Sequence, residues 1–341
     1  MNYYKKIEND LMLISSLAGN KYKNDIISIY LEGSYGRGEG AFLKKNDFYY
    51  PINDYDILII TKTNNNQTIQ SDFKSLVTKM LISRLDVTVI NIKSFLKQKF
   101  TLIRYDLLNN SFLVYGDSNT LKLVDNFNQN KIPFREKEQL FFSRFISFLL
   151  FKFQKNRDVF FNIQQLSKSV VSSYEALLLQ MHIYTSSYKE NRKTLKNLKC
   201  FSSDEKKIIN FFYEVKLNPT TVDFSIINEE ELFYKSYCFV KSCFFRLISN
   251  HNPLFKYKTI YMFYFWIRPR RFIQILFSLF GNKSFLKELL LIFIQIRLFL
   301  YNFNLNRLEI TQRIFEILFK KKFQNKNEFI DFVIKKRMGW E

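Results

Sequence analysis

Glycine, cysteine and histidine are scarce in this chain of 341 residues, which has eight, three and two of them. With only His182 and His251 available, histidine-based hydrolysis and a histidine-ligated metal are poor readings. His182 falls in a helix-like run, Tyr174 to Tyr184, where an imidazole is more often packing or surface. Cys200, Cys238 and Cys243 are too few and too irregularly spaced for a disulfide framework or a zinc site, which points to a reduced, cytoplasmic protein. The first ten residues lack the apolar core and small-residue cleavage site of an export leader. No apolar run reaches the roughly 18 uncharged residues of a membrane span. Internal repeats and Gly/Ser linkers are also missing. Acid is the minority charge: 31 Asp and Glu face 52 Lys and Arg, leaving a net charge of +21.

Against that scarcity, half of the glycines fall in one window, Gly33-Ser34-Tyr35-Gly36-Arg37-Gly38-Glu39-Gly40. The apolar run from Ile26 to Leu31 leads into it as a strand, so the window reads as a turn whose bare N–H groups can approach a phosphate. The stretch Asn53-Asp54-Tyr55-Asp56 then opens a second strand, Ile57 to Ile60. Residues two apart on a strand share a face, so Asp54 and Asp56 present their carboxylates together while Tyr55 points the other way. Two like charges at the edge of a buried sheet call for a positive partner, and a divalent metal supplies one. A third strand-like segment, Arg84 to Ile90, adds Asp86. Asp47, Asp72 and Asp106 are alternatives for that third acid. Three carboxylates suffice to hold two hard cations about 4 Å apart, the clamp used in in-line phosphoryl and nucleotidyl displacement. Arg37 and Glu39 behind the turn either contribute to nucleotide binding or pair with each other.

These residues resemble the signature of the polymerase-beta-type nucleotidyltransferase superfamily, in particular small bacterial members with a helical second domain. The likeness rests on the Gly33-Ser34 pair ending a strand, on Arg37 and Glu39, on Asp54-x-Asp56 and on the separate Asp86. It extends through Asp106-Leu107-Leu108 and Val114-Tyr115-Gly116-Asp117, covering roughly residues 1 to 120. The resemblance implies that Gly33 and Ser34 hold the triphosphate and that Asp54 and Asp56 bind Mg2+. It also implies that Asp86 completes the metal site and helps deprotonate an acceptor hydroxyl. An insertion around Lys44 to Pro51 lengthens the usual gap between the serine and the aspartate pair. In the helical part, Tyr174 to Leu179 followed by Tyr184, Ser187 and Arg192 resembles the acceptor-side helix of small-molecule nucleotidyltransferases, with Glu175 a candidate general base.

Past Gly116 the strand pattern gives way to amphipathic segments: Glu136 to Gln154, Gln164 to Tyr184, Asp204 to Val215 after a Ser202-x-x-Glu205 capping box, and Glu229 to Ser249. The expected fold class is α+β, a small mixed β-sheet packed with helices and followed by an all-helical domain. The expected divisions are a catalytic domain over 1–120, a helical acceptor-side domain over 121–254 and a basic, aromatic-rich helical extension over 255–341. That extension holds 17 Lys and Arg against 6 Asp and Glu. Its apolar runs are broken by Arg268, Arg270, Arg271, Lys283, Lys287 and Arg297. They suit core helices with basic faces, peripheral contact with anionic membrane, or a nucleic-acid surface. The expected activity is Mg2+-dependent transfer of a nucleoside monophosphate from a nucleoside triphosphate, ATP among them, to a hydroxyl. The acceptor is left open among a small molecule, a sugar or glycan, a protein and a nucleic-acid end. Rival readings are a nucleic-acid-linked or second-messenger nucleotidyltransferase of the same superfamily and an inactive nucleotide-binding module docked to membrane.

Overall fold

A computed structural model describes residues 3–45, 48–64, 66–82, 84–124, 129–133 and 158–249, with isolated positions between 136 and 151 and at 324 and 328. The sheet is built from β1 (Ile26–Glu32), β4 (Tyr55–Thr61), β5 (Leu85–Asn91) and β6 (Phe112–Gly116), in the spatial order β5-β4-β1-β6. β1 runs antiparallel to both β4 and β6, whereas β4 and β5 are parallel. A parallel pair needs a crossover, and helices Asn66–Lys74 and Leu76–Met80 lie in the intervening chain. The fold is therefore α+β with a mixed sheet, as the sequence predicts.

Alternation along the strands gives the sheet two apolar faces. Ile29, Leu31, Ile57, Ile59 and Val87 pack in one core with Ile14 and Ala18 of the first helix, Tyr3–Lys21, and with Ile69 and Phe73. Tyr30, Leu58 and Ile60 pack in a second core with Phe95, Leu107 and Val124. Helices Ile92–Lys97 and Leu102–Asn109 carry Phe95 and Leu107; each starts under a side-chain cap, Asn91 accepting from Lys93 N and Thr101 from Arg104 N.

The expected insertion at 44–51 is a β-hairpin, β2 (Phe42–Lys45) paired with β3 (Phe48–Pro51). The capping box is present: Ser202 Oγ accepts from Glu205 N at 3.2 Å and Ser202 N donates to Glu205 Oε2 at 2.8 Å, opening helix Ser203–Leu217. Helix Glu229–Ser249 has the expected limits. The run expected to reach Tyr184 is instead helix Val159–Gln180, and His182 follows it with a left-handed φ of 58°. The segment Glu136 to Gln154 lies mostly outside the described residues. So does 255–341 apart from Gln324 and Glu328, and with it every basic residue named there.

Two compact units divide the chain, one of Met1–Glu136 with Met181–Asp223, the other of Lys137–Gln180 with the described residues from Phe224 onward. The division thus differs from a boundary at residue 120, because 181–223 returns to the sheet and is fastened there by polar side chains described below. In the second unit aromatic rings join the helices: Phe141 stacks on Phe244 at 6.0 Å and Phe160 meets Phe224 edge-on at 5.1 Å. No described helix is long and apolar enough to cross a membrane. None of the three cysteines is joined in a disulfide.

Candidate functional site

β1 ends at Glu32 and the chain turns at once through one helical turn, Gly33–Gly36. Gly33 sits at φ +64°, a conformation that side chains with a Cβ rarely adopt, and a Cβ there would overlap the Asp56 carboxylate. Glycine is therefore required on two independent grounds, and the turn lies directly against Asp56. Behind it, Tyr35 is buried; its hydroxyl donates to Ala41 O at 2.7 Å and its ring meets Tyr55 edge-on at 4.7 Å. Tyr55 is itself fully buried and donates to Asp10 at 3.0 Å. Asp10 also pairs with Lys6. The residue between the two aspartates thus anchors the mouth of β4 to the first helix.

The strand registers line up three acids. Asp56 lies opposite Asp86 in the parallel pair and opposite Glu32 in the antiparallel pair. Asp54 flanks this row at the entrance to β4. Burial, followed by the charges of Asp86 and Asp54, raises Asp56 to about 6 against the opposing pull of Arg37 and Arg84. Burial, then Asp56 and Asp106, raises Glu32 to about 8. Glu32 was not singled out by sequence reasoning; its signal was the two-residue period that places it on the same face as Tyr30.

Arg84 stands at the open side of the row. Its Nη2 and Nε donate to Asp86 Oδ1 at 2.7 and 3.0 Å, and its Nη1 lies 3.6 Å from Asp54. Among the described residues no three Asp, Glu, His or Cys side chains converge tightly enough, as they lie, to hold a metal ion. Of the other candidates for the third acid, Asp72 accepts from Lys21 and from Tyr22, the latter at 2.5 Å. Asp47 lies outside the described residues. Asp106 accepts from Tyr184 Oη at 3.0 and 3.2 Å.

Arg37 and Glu39 are brought together, Nε to Oε2 at 3.3 Å, and both side chains are buried. Glu39 does more than pair. It accepts from Ser187 Oγ at 2.7 Å, Tyr188 N at 2.9 Å and Lys189 N at 2.9 Å, filling the N-terminus of helix Tyr188–Thr194 with negative charge. Arg37 lies over the Tyr188 ring, 4.5 Å from its centre. Burial works against its charge, but Tyr188, Asp106, Tyr184 and Glu39 outweigh that and raise its pKa. Asn110 donates to Ser186 beside these contacts. Tyr184, Ser187 and Arg192 all belong to this unit, Arg192 pairing with Glu214 at 2.7 Å. Glu175 belongs to the other unit, where it is buried rather than on a solvated face.

No protein-family model matches this chain, and no curated protein sequence matches it. Among solved structures, spectinomycin adenyltransferase AAD(9) from Enterococcus faecialis, with ATP and spectinomycin, is similar at 12% identity. That match covers 70% of this chain and 99% of that one, with a TM-score of 0.44. A toxin-antitoxin with AMP-PNP is similar at 20% identity over 34% of this chain and 79% of that one, with a TM-score of 0.23. Likeness of this degree has no bearing on what this chain binds or does.

Proposed function

We propose that the sheet unit is a nucleotidyltransferase of the polymerase-beta type, moving a nucleoside monophosphate from a nucleoside triphosphate to a hydroxyl with release of pyrophosphate. The observation that carries this reading is the row Glu32–Asp56–Asp86, with Asp54 beside it and a glycine turn whose Gly33 leaves no room for a Cβ against Asp56. An acidic row beside a bare-backbone turn suits a ligand that brings both phosphate and cations. A purely structural pair of strands gains nothing from it, since each acid raises the cost of ionising the next.

The donor set fits magnesium. The oxygens are hard carboxylate oxygens, and the upward shift of Asp56 comes first from burial and then from the negative charges of Asp86 and Asp54, which a cation relieves. Asp54, Asp56 and Asp86 would hold Mg2+, and when bound it would supply charge neutralisation at the phosphates. The chain's own residues do the rest. Gly33 and Ser34 offer backbone N–H groups and a hydroxyl to the β- and γ-phosphates. Arg37, fixed by Glu39 and Tyr188, keeps a permanent positive charge behind the turn. Asp86 accepts the proton of the attacking hydroxyl while the hydroxyl oxygen bonds to the α-phosphorus and the bond from the α-phosphorus to the leaving pyrophosphate breaks. Catalysis of this kind is mostly positioning and electrostatics.

The acceptor is a hydroxyl compound of a class the acidic row does not choose. Incubating the protein with each α-labelled nucleoside triphosphate, with and without magnesium and with fractionated cell extract, tests the reading. Labelled acceptor and free pyrophosphate are expected with magnesium and not with the Asp56→Asn variant. Absence of both transfer and nucleotide binding across all four triphosphates overturns it.

A further inference from the structure

Two arginines face the acidic row, and they are held very differently. Arg37 is buried at 8% side-chain exposure, gripped by Glu39 and stacked on Tyr188. Arg84 is 61% exposed, and among the described residues it forms its ion pairs with Asp86 and Asp54. Both are carboxylates that the proposed function assigns to magnesium. A guanidinium held on these oxygens repels a divalent cation approaching the same carboxylates, so the two compete for them.

Arg84 sits just outside β5, two residues before Asp86 and on the same side by strand alternation. No described contact fixes the head of this long, flexible side chain except the two acids. Exposed ion pairs of this kind are weak, and the divalent charge gains more from the same oxygens. Once released, the guanidinium remains at the mouth of the site, where incoming phosphate oxygens match its planar fork of donors.

We infer that Arg84 is a resident counter-charge for Asp54 and Asp86 which a divalent cation displaces, and that the freed guanidinium then binds phosphate oxygens of the nucleotide. The inference rests on the nucleotidyltransferase reading. It makes one side chain oppose metal binding in the empty site and assist nucleotide binding in the loaded one. A merely structural ion pair would do neither.

The test uses the full chain and two binding measurements that need no turnover. Mn2+ affinity is read by electron paramagnetic resonance of the free ion, without nucleotide. Affinity for α,β-methylene-ATP, which cannot transfer its nucleotidyl group, is then read at saturating Mn2+. Arg84→Gln is expected to bind Mn2+ about fivefold tighter than the natural chain, the size of a lost exposed charge pair. It is expected to bind the analogue about tenfold more weakly, the size of a lost hydrogen bond between charged groups. Arg84→Lys, which keeps the charge without the fork, should retain most of the natural Mn2+ affinity and lose part of the analogue binding. If Arg84→Gln binds Mn2+ no tighter, or binds the analogue as well as the natural chain, the displacement is wrong. If the natural chain itself binds neither, the nucleotidyltransferase reading fails and the inference falls with it. Thermal melting of each variant without ligand separates these outcomes from misfolding.

Discussion

The two faces of the same four-stranded sheet have been put to different uses. On one, Ile29, Leu31, Ile57, Ile59 and Val87 are closed into a continuous apolar core. On the other, Tyr30, Leu58 and Ile60 are equally apolar in mid-strand, but at one end the row becomes Glu32, Asp56 and Asp86. The change occurs over two residues, from Tyr30 to Glu32 on β1 and from Leu58 to Asp56 on β4. Because successive side chains alternate, the chain places packing and chemistry in the same seven residues without either displacing the other. Tyr55 shows the join: its neighbours on both sides are the acids of the site, while its own ring is shut in the opposite core and tied to Asp10.

The contrast breaks most visibly at the acids. Asp54→Asn and Asp56→Asn should each reduce nucleotidyl transfer by about a thousandfold or more, since they remove a charge the cations need. Their melting temperatures in metal-free buffer should hold or rise, because neighbouring acids no longer repel. Transfer near the natural rate in either variant would remove the metal site. On the opposite face, Ile59→Ala should do the reverse. Emptying a fully buried site of this kind costs about 2 to 5 kcal/mol of stability. The folded fraction, measured at low temperature, should keep its affinity for nucleotide.

A pH series sharpens the same contrast. Glu32 holds its proton in the folded chain up to about 8, whereas an unfolded glutamate releases it near 4.5. Asp56 behaves likewise between 3.8 and about 6. Across those windows the folded state binds more protons than the unfolded one, so stability falls as pH rises. In the presence of a chelator the melting midpoint should therefore drop between pH 5 and 8.5, and Glu32→Gln should flatten that drop. A Glu32→Gln profile parallel to the natural one would show that Glu32 does not titrate as its surroundings dictate. Magnesium should restore stability most at the upper end, where the acids are ionised.

How much of this was readable in advance depended on range. The glycine window, the Asp54-x-Asp56 pair and the strand carrying Asp86 are local patterns, as are the capping box at Ser202 and the helix over Glu229–Ser249. Each is decided by spacing within a few residues. The two-residue period gives Glu32 its face, but its place beside Asp56 comes from the antiparallel register of β1 against β4, which local spacing does not reveal. Glu39 is further removed still, since its partner Ser187 is 148 positions away. The sequence offers Arg37 as an alternative partner for it, and the structure supplies both at once. That same clasp explains why 181–223 goes with the sheet, when a reading by composition would group it with the helices on either side. The tie of Arg84 to Asp54 again spans separate strands. Placement set by neighbouring residues was legible; contacts assembled by strand pairing and by distant segments were not.

The smallest effect belongs to Ser34, which tests the side chain of the glycine turn where Gly33 tests its backbone. Gly33→Val should lose nucleotide binding altogether, because it sets a β-branched residue at a left-handed φ and presses it against Asp56. Ser34→Ala asks a finer question. The fold draws on Ser34 through its carbonyl, which accepts from Glu39 N at 2.8 Å, and alanine preserves that bond. Stability should therefore stay within about 0.5 kcal/mol of the natural chain. If the hydroxyl contacts a phosphate oxygen, its loss should weaken triphosphate binding by about 1 to 2 kcal/mol, roughly five- to thirtyfold. Binding of the nucleoside alone should be unaffected, because only the phosphates reach the turn. Equal weakening for nucleoside and triphosphate would move Ser34 away from the phosphates, leaving the backbone of the turn as their contact.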